Sequence, residues 1–479
     1  MLYDLNFLKT GEVFPPREEL ERLDAYRVND MLLNDEPWTA LPEHKRRVLF
    51  LLSNFSLTEP KDCYLYNANY WAELADKTRE LTFGARPTIK TDRQDVLNEL
   101  LENTRLYEKG EEGVGDLCAF GDWIVKIKED EAGNGTFINV DPSIWFPVVS
   151  FEDVKTIKYH VLAWVVNNPI ARDKFELHVQ IHEKGNYKNR AFDISDSRRD
   201  DTYTVPQTKQ VIRANAYKIG AELKTTCDGF TVGDFETGLD DFAIVQIPND
   251  TTSKSIYGKS DFDKITDAAI AYNTRMTLKD VVLDKHSAPL MYGPPLTEDE
   301  RIGNYLEVPP DDPKTPGYLV WDAAMTAVDN TIAALKEDTA NLSGMGSILD
   351  TKTFGESQGY DALMIKLAPA LMRAAKKTSR IEPRLKKIIS LVSQIGYGKI
   401  EERDLEIAWH SGIPTTESVR ADIAAKHLAT GWSRKRVLML DYGLSEEEAE
   451  AEIAQKEAEA PPIPQSGYGA AEDGESDDE

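Results

Sequence analysis

The sequence predicts an α+β protein of two to four domains, and three observations carry that expectation. The apolar residues recur at helical spacing over residues 17–110, alternate like strands over about 118–250, and return to helical spacing at 260. At 479 residues the chain is too long for one ordinary core. Its 41% hydrophobic content and 19 tyrosines are those of a folded chain, not a disordered one.

The first region contains "REELERLDAYRVNDMLL", "LPEHKRRVLFLLSNF" and "RQDVLNELLENTRLY", each with apolar residues at helical spacing. Between them "NANYWAELADKTRELTFGARPTIKTD" reads as a helix that stops at Gly84 and turns extended after Pro87. The second region is a set of short β-branched or aromatic runs: "AFGDWIVKI", "SIWFPVVSF", "IKYHVLAWVV", "KFELHVQIHE" and "YKNRAFDI". Turn signals such as "AGNG" and "KGN" separate them, which predicts an antiparallel meander.

From 260, "SDFDKITDAAIAYNTRMTLKDVVLDKH" places Phe262, Ile265, Ala269, Tyr272, Met276 and Leu283 on one stripe, with Ser260 and Asp263 as a capping box. A proline-rich stretch from 287 to 321 cannot continue a helix and suits short strands and turns. A second helix follows, capped by Asp322, with Met325, Val328, Ile332, Leu335 and Leu342 as its stripe. The pattern is therefore two long helices carrying a small module at their tip.

After the glycine-containing stretch "MGSILDTKTFGESQG" comes "YDALMIKLAPALMRAAKKTSRIEPRLKKIISLVSQ". It is helical in pattern and kinked or broken at Pro369 and Pro383. An extended segment, "RDLEIAWHSGIP", leads to three small helices punctuated by Gly431, Ser433 and Gly443. The tail from 461 carries acids and no basic residue, a composition that predicts disorder.

Little in the chain points to catalysis. P-loop, GxSxG, HExxH and EF-hand patterns are absent, and no cofactor is expected. Cys63, Cys118 and Cys227 are far apart with no CxxC spacing, which argues against zinc or a disulfide framework and for a reducing compartment. The N-terminal stretch lacks a signal-peptide pattern and no apolar run nears membrane-spanning length, so a soluble, cytoplasmically folding chain is expected. His178 and His182 share a strand face and read as structural. Asp234, Glu236, Asp240 and Asp241 read as a solvated acidic loop, with divalent-metal phosphoryl transfer as the rival reading. "SDSRRDD" reads as a surface loop, and His410, beside Trp409, as a packed residue without a partner. The net charge of −27 suits solubility, and in a DNA-handling protein it suits sliding over gripping.

Several stretches resemble one family, the portal (head–tail connector) proteins of tailed bacteriophages, of the long-tailed type. "NANYWAELADKTRELTFGARPTI" resembles that family's N-terminal helix with its Gly/Pro turn. "IYGKSDFDKITDAAIAYNTRMTLKDVVLDKHSAPLMYG" is similar to the first stem helix entering the clip. "FGESQGYDALMIKLAPALMRAAKK" resembles the tunnel-loop exit and kinked helix. "LEIAWHSGIPTTESVRADIAAKHLATGWSRKRVLML" with "SEEEAEAEIAQKEAEA" resembles the crown segment. The order of the parts, more than any one motif, carries the likeness. Gln358 and Tyr360 around Gly359 depart from the tunnel-loop pattern, and the 118–250 region has no alignable motif.

The resemblance implies a portal fold: a wing over 1–258, stem helices at 259–288 and 322–343, and a clip at 289–321. It further implies a tunnel loop at 344–357, a kinked wing helix and connecting segment at 358–404, a crown at 405–460 and an acidic tail at 461–479. The implied function is a ring, of twelve subunits in the capsid, at one capsid vertex of the virion and assembled in the host cytoplasm. Double-stranded DNA is packaged through it by the terminase large subunit and later ejected. Head-completion adaptors, the major capsid protein and scaffolding protein are the other implied partners. Tunnel-loop residues would be Thr351, Lys352, Thr353, Phe354 and Glu356, with Lys352 near phosphates. Clip docking residues would be Tyr292, Arg301, Tyr305 and Tyr318, with the helix kink at Pro369. Another viral ring or adaptor protein is the nearer alternative.

Overall fold

The computed structural model describes residues 1–55, 64–168, 174–197, 203–204, 211–212, 216–287, 290–295, 305–308, 317–319, 325–346, 360–410, 417–442, 444 and 446–459. The protein is mixed α/β, 50% helical and 24% strand, with twelve α-helices among these residues. It divides into two units, Met1–Gly412 and Ile413–Glu479.

The first unit opens with strand β1 (Val13–Phe14) and helices α1 (Leu20–Leu33), α2 (Pro37–Ala40), α3 (Pro42–Phe55) and α4 (Tyr70–Arg79). Asn69 caps α4 by accepting from the Ala72 N–H, and a π-turn, Glu80–Gly84, extends the helix to the expected glycine stop. Strand β2 (Thr88–Lys90) follows, then α5 (Gln94–Thr104) and α6 (Leu106–Ala119).

Helix α6 departs from the expectation. The pattern predicted one helix over 93–107 and nothing helical near 118. Instead Arg105, in the left-handed region at φ 51°, ends α5 and α6 begins at once. Three glycines weaken the helical signal of α6, yet tertiary packing requires them. A Cβ on Gly113 would lie 2.0 Å from the buried Trp123 ring, and one on Gly110 would lie 2.5 Å from Phe83.

The β region comprises β3 (Asp122–Glu129), β4 (Gly135–Val140), β5 (Trp145–Val149), β6 (Ile157–Asn167), β7 (Phe175–Glu183) and β8 (Asn186–Ser197). It continues with β9 (Tyr203–Thr204), β10 (Val211–Ile212), β11 (Ala216–Leu223), β12 (Gly233–Glu236) and β13 (Ile244–Pro248). All pairings among these strands are antiparallel, as expected, but they form more than one sheet. The largest has the order β1-β11-β8-β7-β6-β5, with β12 also on β8, and β13-β3-β4 form a second. Ser195–Ser197 of the expected surface loop "SDSRRDD" continue β8 against β11.

The large sheet is buried on both faces. Phe146, Val148, Val161, Ala163, Leu177 and Val179 pack under the N-terminal Leu2, Phe7, Leu8 and Phe14. Their alternates Trp145, Val149 and Leu162 meet Ile124, Val140 and Ile244 of the second sheet.

The rest of the first unit is α7 (Thr266–Ser287), strands β14 (Leu290–Gly293), β15 (Tyr305–Glu307) and β16 (Gly317–Leu319), α8 (Met325–Ser343), α9 (Tyr360–Ser393) and β17 (Glu406–Ala408). Helix α9 runs unbroken through Pro369 and Pro383 over 34 residues. Strand β17 pairs with β2, so this segment belongs to the first unit, and the second unit begins at Ile413.

The second unit holds α10 (Glu417–Ala429), α11 (Arg434–Asp441) and α12 (Glu446–Glu459). Ser433 caps α11 by accepting from the Arg436 N–H, and Gly431 adopts φ 93° at the preceding turn. Trp432 stacks on His427 at 4.4 Å, with the Arg436 guanidinium over the same ring. His427 Nδ1 lies 2.8 Å from Asp441 Oδ2, which fixes α10 against α11.

Candidate functional site

The helical hairpin formed by α7 and α8 is the feature the sequence singled out, and its stripe closes only at one end. Phe262, Ile265, Ala269 and Tyr272 are buried, whereas Leu283 is 49% exposed. The buried end of α7 is stitched to the segment before α4 and to the first turn of α4. Tyr66 N–H donates to Thr277 Oγ1 at 3.0 Å, Ala68 N–H to Asn273 Oδ1 at 2.9 Å, and Trp71 Nε1 to Thr266 Oγ1 at 3.1 Å. On α8, Thr339 and Ser343 are buried, Ile332 and Leu335 half-buried, and Leu342 exposed. Farther along, Lys279 on α7 reaches Asp329 on α8 at 2.5 Å.

The expected capping box at Ser260 and Asp263 does not form. Ser260 Oγ accepts from Phe262 N–H and donates to the Cys118 carbonyl, so it ties the start of the short 3₁₀ turn Phe262–Lys264 to the end of α6. Helix α7 itself starts later, at Thr266. Asp322 lies outside the described residues.

Between the helices, β14 is the centre of a three-stranded sheet, parallel to β15 and antiparallel to β16. The structure brings three of the four expected docking residues onto this sheet. Tyr305 and Tyr318 occupy positions directly opposite Met291, and Tyr292 stands at the neighbouring register position. Tyr305 Oη donates to the Pro294 carbonyl at 2.8 Å. Gly317 lies under the Tyr292 ring, where a Cβ would meet its hydroxyl at 2.9 Å. Arg301 lies outside the described residues, as do Thr351, Lys352, Thr353, Phe354 and Glu356. Pro369 is exposed on α9.

A site that sequence reasoning missed joins the hairpin to α9. Arg373, Lys377 and Arg380 recur at i, i+4 and i+7, a spacing that puts three cations on one helical face. Lys377 Nζ lies 2.6 Å from Asp261 Oδ2 and donates to Asn249 Oδ1 at 2.8 Å. Arg373 stands 2.9 Å from Asp261 Oδ1 and also donates to the carbonyl of Ser343 at the end of α8. Arg380 pairs with Asp250 at 2.9 Å and donates to the Asn249 carbonyl.

Burial alone would push the Asp261 carboxyl up, but Lys377 and Arg373 overcome it and hold the group down at about 2. The entry to α7, the end of α8 and the middle of α9 thus meet at one buried carboxylate. The basic row on α9 was visible in the sequence, but nothing there indicated which acids it would find.

Three of the four acids of the 234–241 stretch are committed to ion pairs, and Glu236 is exposed. Asp234 pairs with Arg190 at 2.7 Å and Asp240 with Lys399 at 2.9 Å. Asp241 pairs with Lys387 at 2.5 Å and Lys184 at 3.2 Å; burial opposes its ionisation, yet those lysines hold it down at about 2. Among the described residues no group of three or more His, Cys, Asp or Glu is placed to hold a metal ion. His410 is exposed and has a partner, contrary to expectation: its Nε2 lies 2.8 Å from Thr88 Oγ1, because β17 pairs alongside β2.

His178 and His182 share a face of β7, and that face is buried. His178 contacts Glu176 at 3.1 Å and stacks on Phe230, while His182 stacks on Tyr187 and stands opposite His160 of β6. Comparison with known proteins finds no matching family model and no matching curated protein. Among the described residues no helix is long and apolar enough to cross a membrane.

Proposed function

We propose that this chain is the subunit of a viral portal ring, through which double-stranded DNA is packaged by a terminase motor and later ejected. The observation that carries the reading is one arrangement. Two helices leave a common buried base, hold a small three-stranded sheet between them, and are locked at that base to a 34-residue helix.

A small sheet on a two-helix support suits docking of a motor or adaptor protein. Its backbone is hydrogen-bonded across three strands, so tyrosines at Tyr292, Tyr305 and Tyr318 have a rigid platform, and tyrosine is a common interface anchor. A chain of net charge −27 suits a conduit for DNA, since like charge keeps the polyanion from adhering. In this reading the segment between α8 and α9, which contains Lys352, borders the channel, and the wing is the two-sheet body with its covering helices.

The test is native mass with class-averaged electron micrographs of the purified full chain. A ring with a central hole, of about twelve copies as in the resembled family, is expected. A monomer at every concentration would overturn the reading.

A further inference from the structure

The two main sheets of the first unit meet over a row of nitrogen bases. On β7, Gln180 and His182 share the buried face, two positions and so roughly 7 Å apart along the strand. His160 of β6 stands directly opposite His182, and Tyr187 of β8 stands opposite it on the other side. From the second sheet Lys126 of β3 reaches across and donates to Gln180 Oε1 at 2.5 Å.

His182 is 1% exposed, and neither of its ring nitrogens has a hydrogen-bond partner among the described residues. A neutral imidazole carries one N–H, so a buried donor stands there unmet. Trp145 Nε1 donates to His160 Nδ1 at 3.1 Å, which puts the proton of a neutral His160 on Nε2. That second donor also lacks a partner among the described residues.

No carboxylate answers these groups. Lys126 is half-buried, and its one bonded partner among the described residues is the neutral Gln180. Burial, with Lys128 adding to it, pulls the Lys126 ammonium down to about 8, and burial beside Lys126 and His160 lowers His182. The acid that reaches His160 is Asp241, which is already paired with Lys387 and Lys184. The chain has 83 acidic residues for 56 lysines and arginines, yet among the described residues none is bonded to Lys126 or His182.

We propose that this seam between the sheets binds one small monovalent anion of halide size. The Lys126 ammonium and the His182 N–H hold it, with His160 Nε2–H as a third donor. A water molecule would satisfy a donor but leave the ammonium without a counter-charge, which is the costlier defect. A phosphate-sized group does not suit the place. Facing sheets stand about 10 Å apart, and the rings of Tyr187 and Phe242 crowd His182 and His160. The site lies within the body of one chain and is independent of the ring reading.

The test is urea unfolding of the full chain, followed by tryptophan fluorescence, with chloride replaced stepwise by gluconate at constant ionic strength. As the site fills, each tenfold rise in chloride should lower the unfolding equilibrium constant by up to about tenfold. Lys126→Met should abolish that dependence. His182→Phe, which keeps a ring against Tyr187, should move it to at least about tenfold higher chloride. Crystals of the parent grown in bromide give a readout that needs no variant: an anomalous peak within hydrogen-bond distance of Lys126 Nζ and a His182 nitrogen. A parent indifferent to chloride, an equal chloride dependence in Lys126→Met, or a water in place of bromide in those crystals would overturn the proposal.

Discussion

Asp261 and Lys377 stand 2.6 Å apart in a space that solvent barely reaches, 7% and 4% exposed at their side chains. They are 116 residues apart in sequence, and Arg373 completes the site at 2.9 Å on the other carboxylate oxygen. Two cations against one anion would be costly in an apolar interior. Here Asn249 bonds both partners, donating to Asp261 Oδ1 at 3.0 Å and accepting from Lys377.

Asp261→Asn should leave Lys377 and Arg373 buried without their counter-charge. A loss of about 3–5 kcal/mol is expected, read as a lower denaturant midpoint of the first unit. Asp250→Asn removes a more exposed partner of Arg380 and Lys376 and should cost less than about 1 kcal/mol. Equal losses from the two substitutions would contradict the placement of Asp261 at the centre.

Acid should loosen the large sheet before it reaches the carboxylates. Burial, reinforced by Lys387, pushes the His160 imidazole down to about 3, and burial beside Lys126 also depresses His182. Both groups are neutral in the folded chain and bind protons more readily when unfolded. Their contribution is therefore complete above the ordinary histidine value near 6.5 and is lost as pH falls from there toward about 3. The Asp261 contribution is retained to lower pH, and is lost from about 4 toward 2. Burial raises the Asp116 carboxyl to about 7, which works in the opposite direction over the same range, so the test is a difference: across pH 7 to 4 His160→Gln should lose less in denaturation midpoint than the parent chain does.

Gly113→Ala should destabilise the first unit by about 1–3 kcal/mol, because the added methyl overlaps the Trp123 ring. An alanine normally strengthens a helix, by about 1 kcal/mol over glycine, so the sign of the change is the test. Urea unfolding of the variant, followed by tryptophan fluorescence, reads it directly. A stabilised variant would mean that α6 and β3 do not approach so closely.

On the proposed portal reading, Lys352→Glu should alter the rate or length of DNA packaged by particles carrying it, and the effect should shrink as salt rises, since a contact between one cation and phosphates is screened. Packaging indistinguishable from the parent at low salt would overturn the proposed contact of Lys352 with DNA.

Much of the fold was legible because local pattern matched tertiary role. The alternation in "IKYHVLAWVV" and "KFELHVQIHE" became β6 and β7, and the helical stripe from Phe262 to Tyr272 became the 3₁₀ entry and the buried end of α7. Ser433 and Gly431 punctuated the second unit as their backbone preferences required. The hairpin with its proline-rich tip was equally plain, because a stretch crowded with prolines cannot sustain helical hydrogen bonds, although single prolines are accommodated inside α9.

What the sequence alone determined was therefore the order and type of elements, since periodicity and backbone preference are local properties. The tertiary structure decided which polar residues are buried and against what. Glu176, His178, Gln180 and His182 alternate with apolar residues as a solvated strand face would, yet all four are buried. Helix α6 exists despite three glycines, because those glycines admit Trp123, Phe83 and Arg79. Asp261 looked like one of 83 acidic residues until α9 delivered Lys377 and Arg373 to it. Charge pairing at such distances in sequence leaves no local trace, because the energy that selects the partner arises only when both are withdrawn from water together.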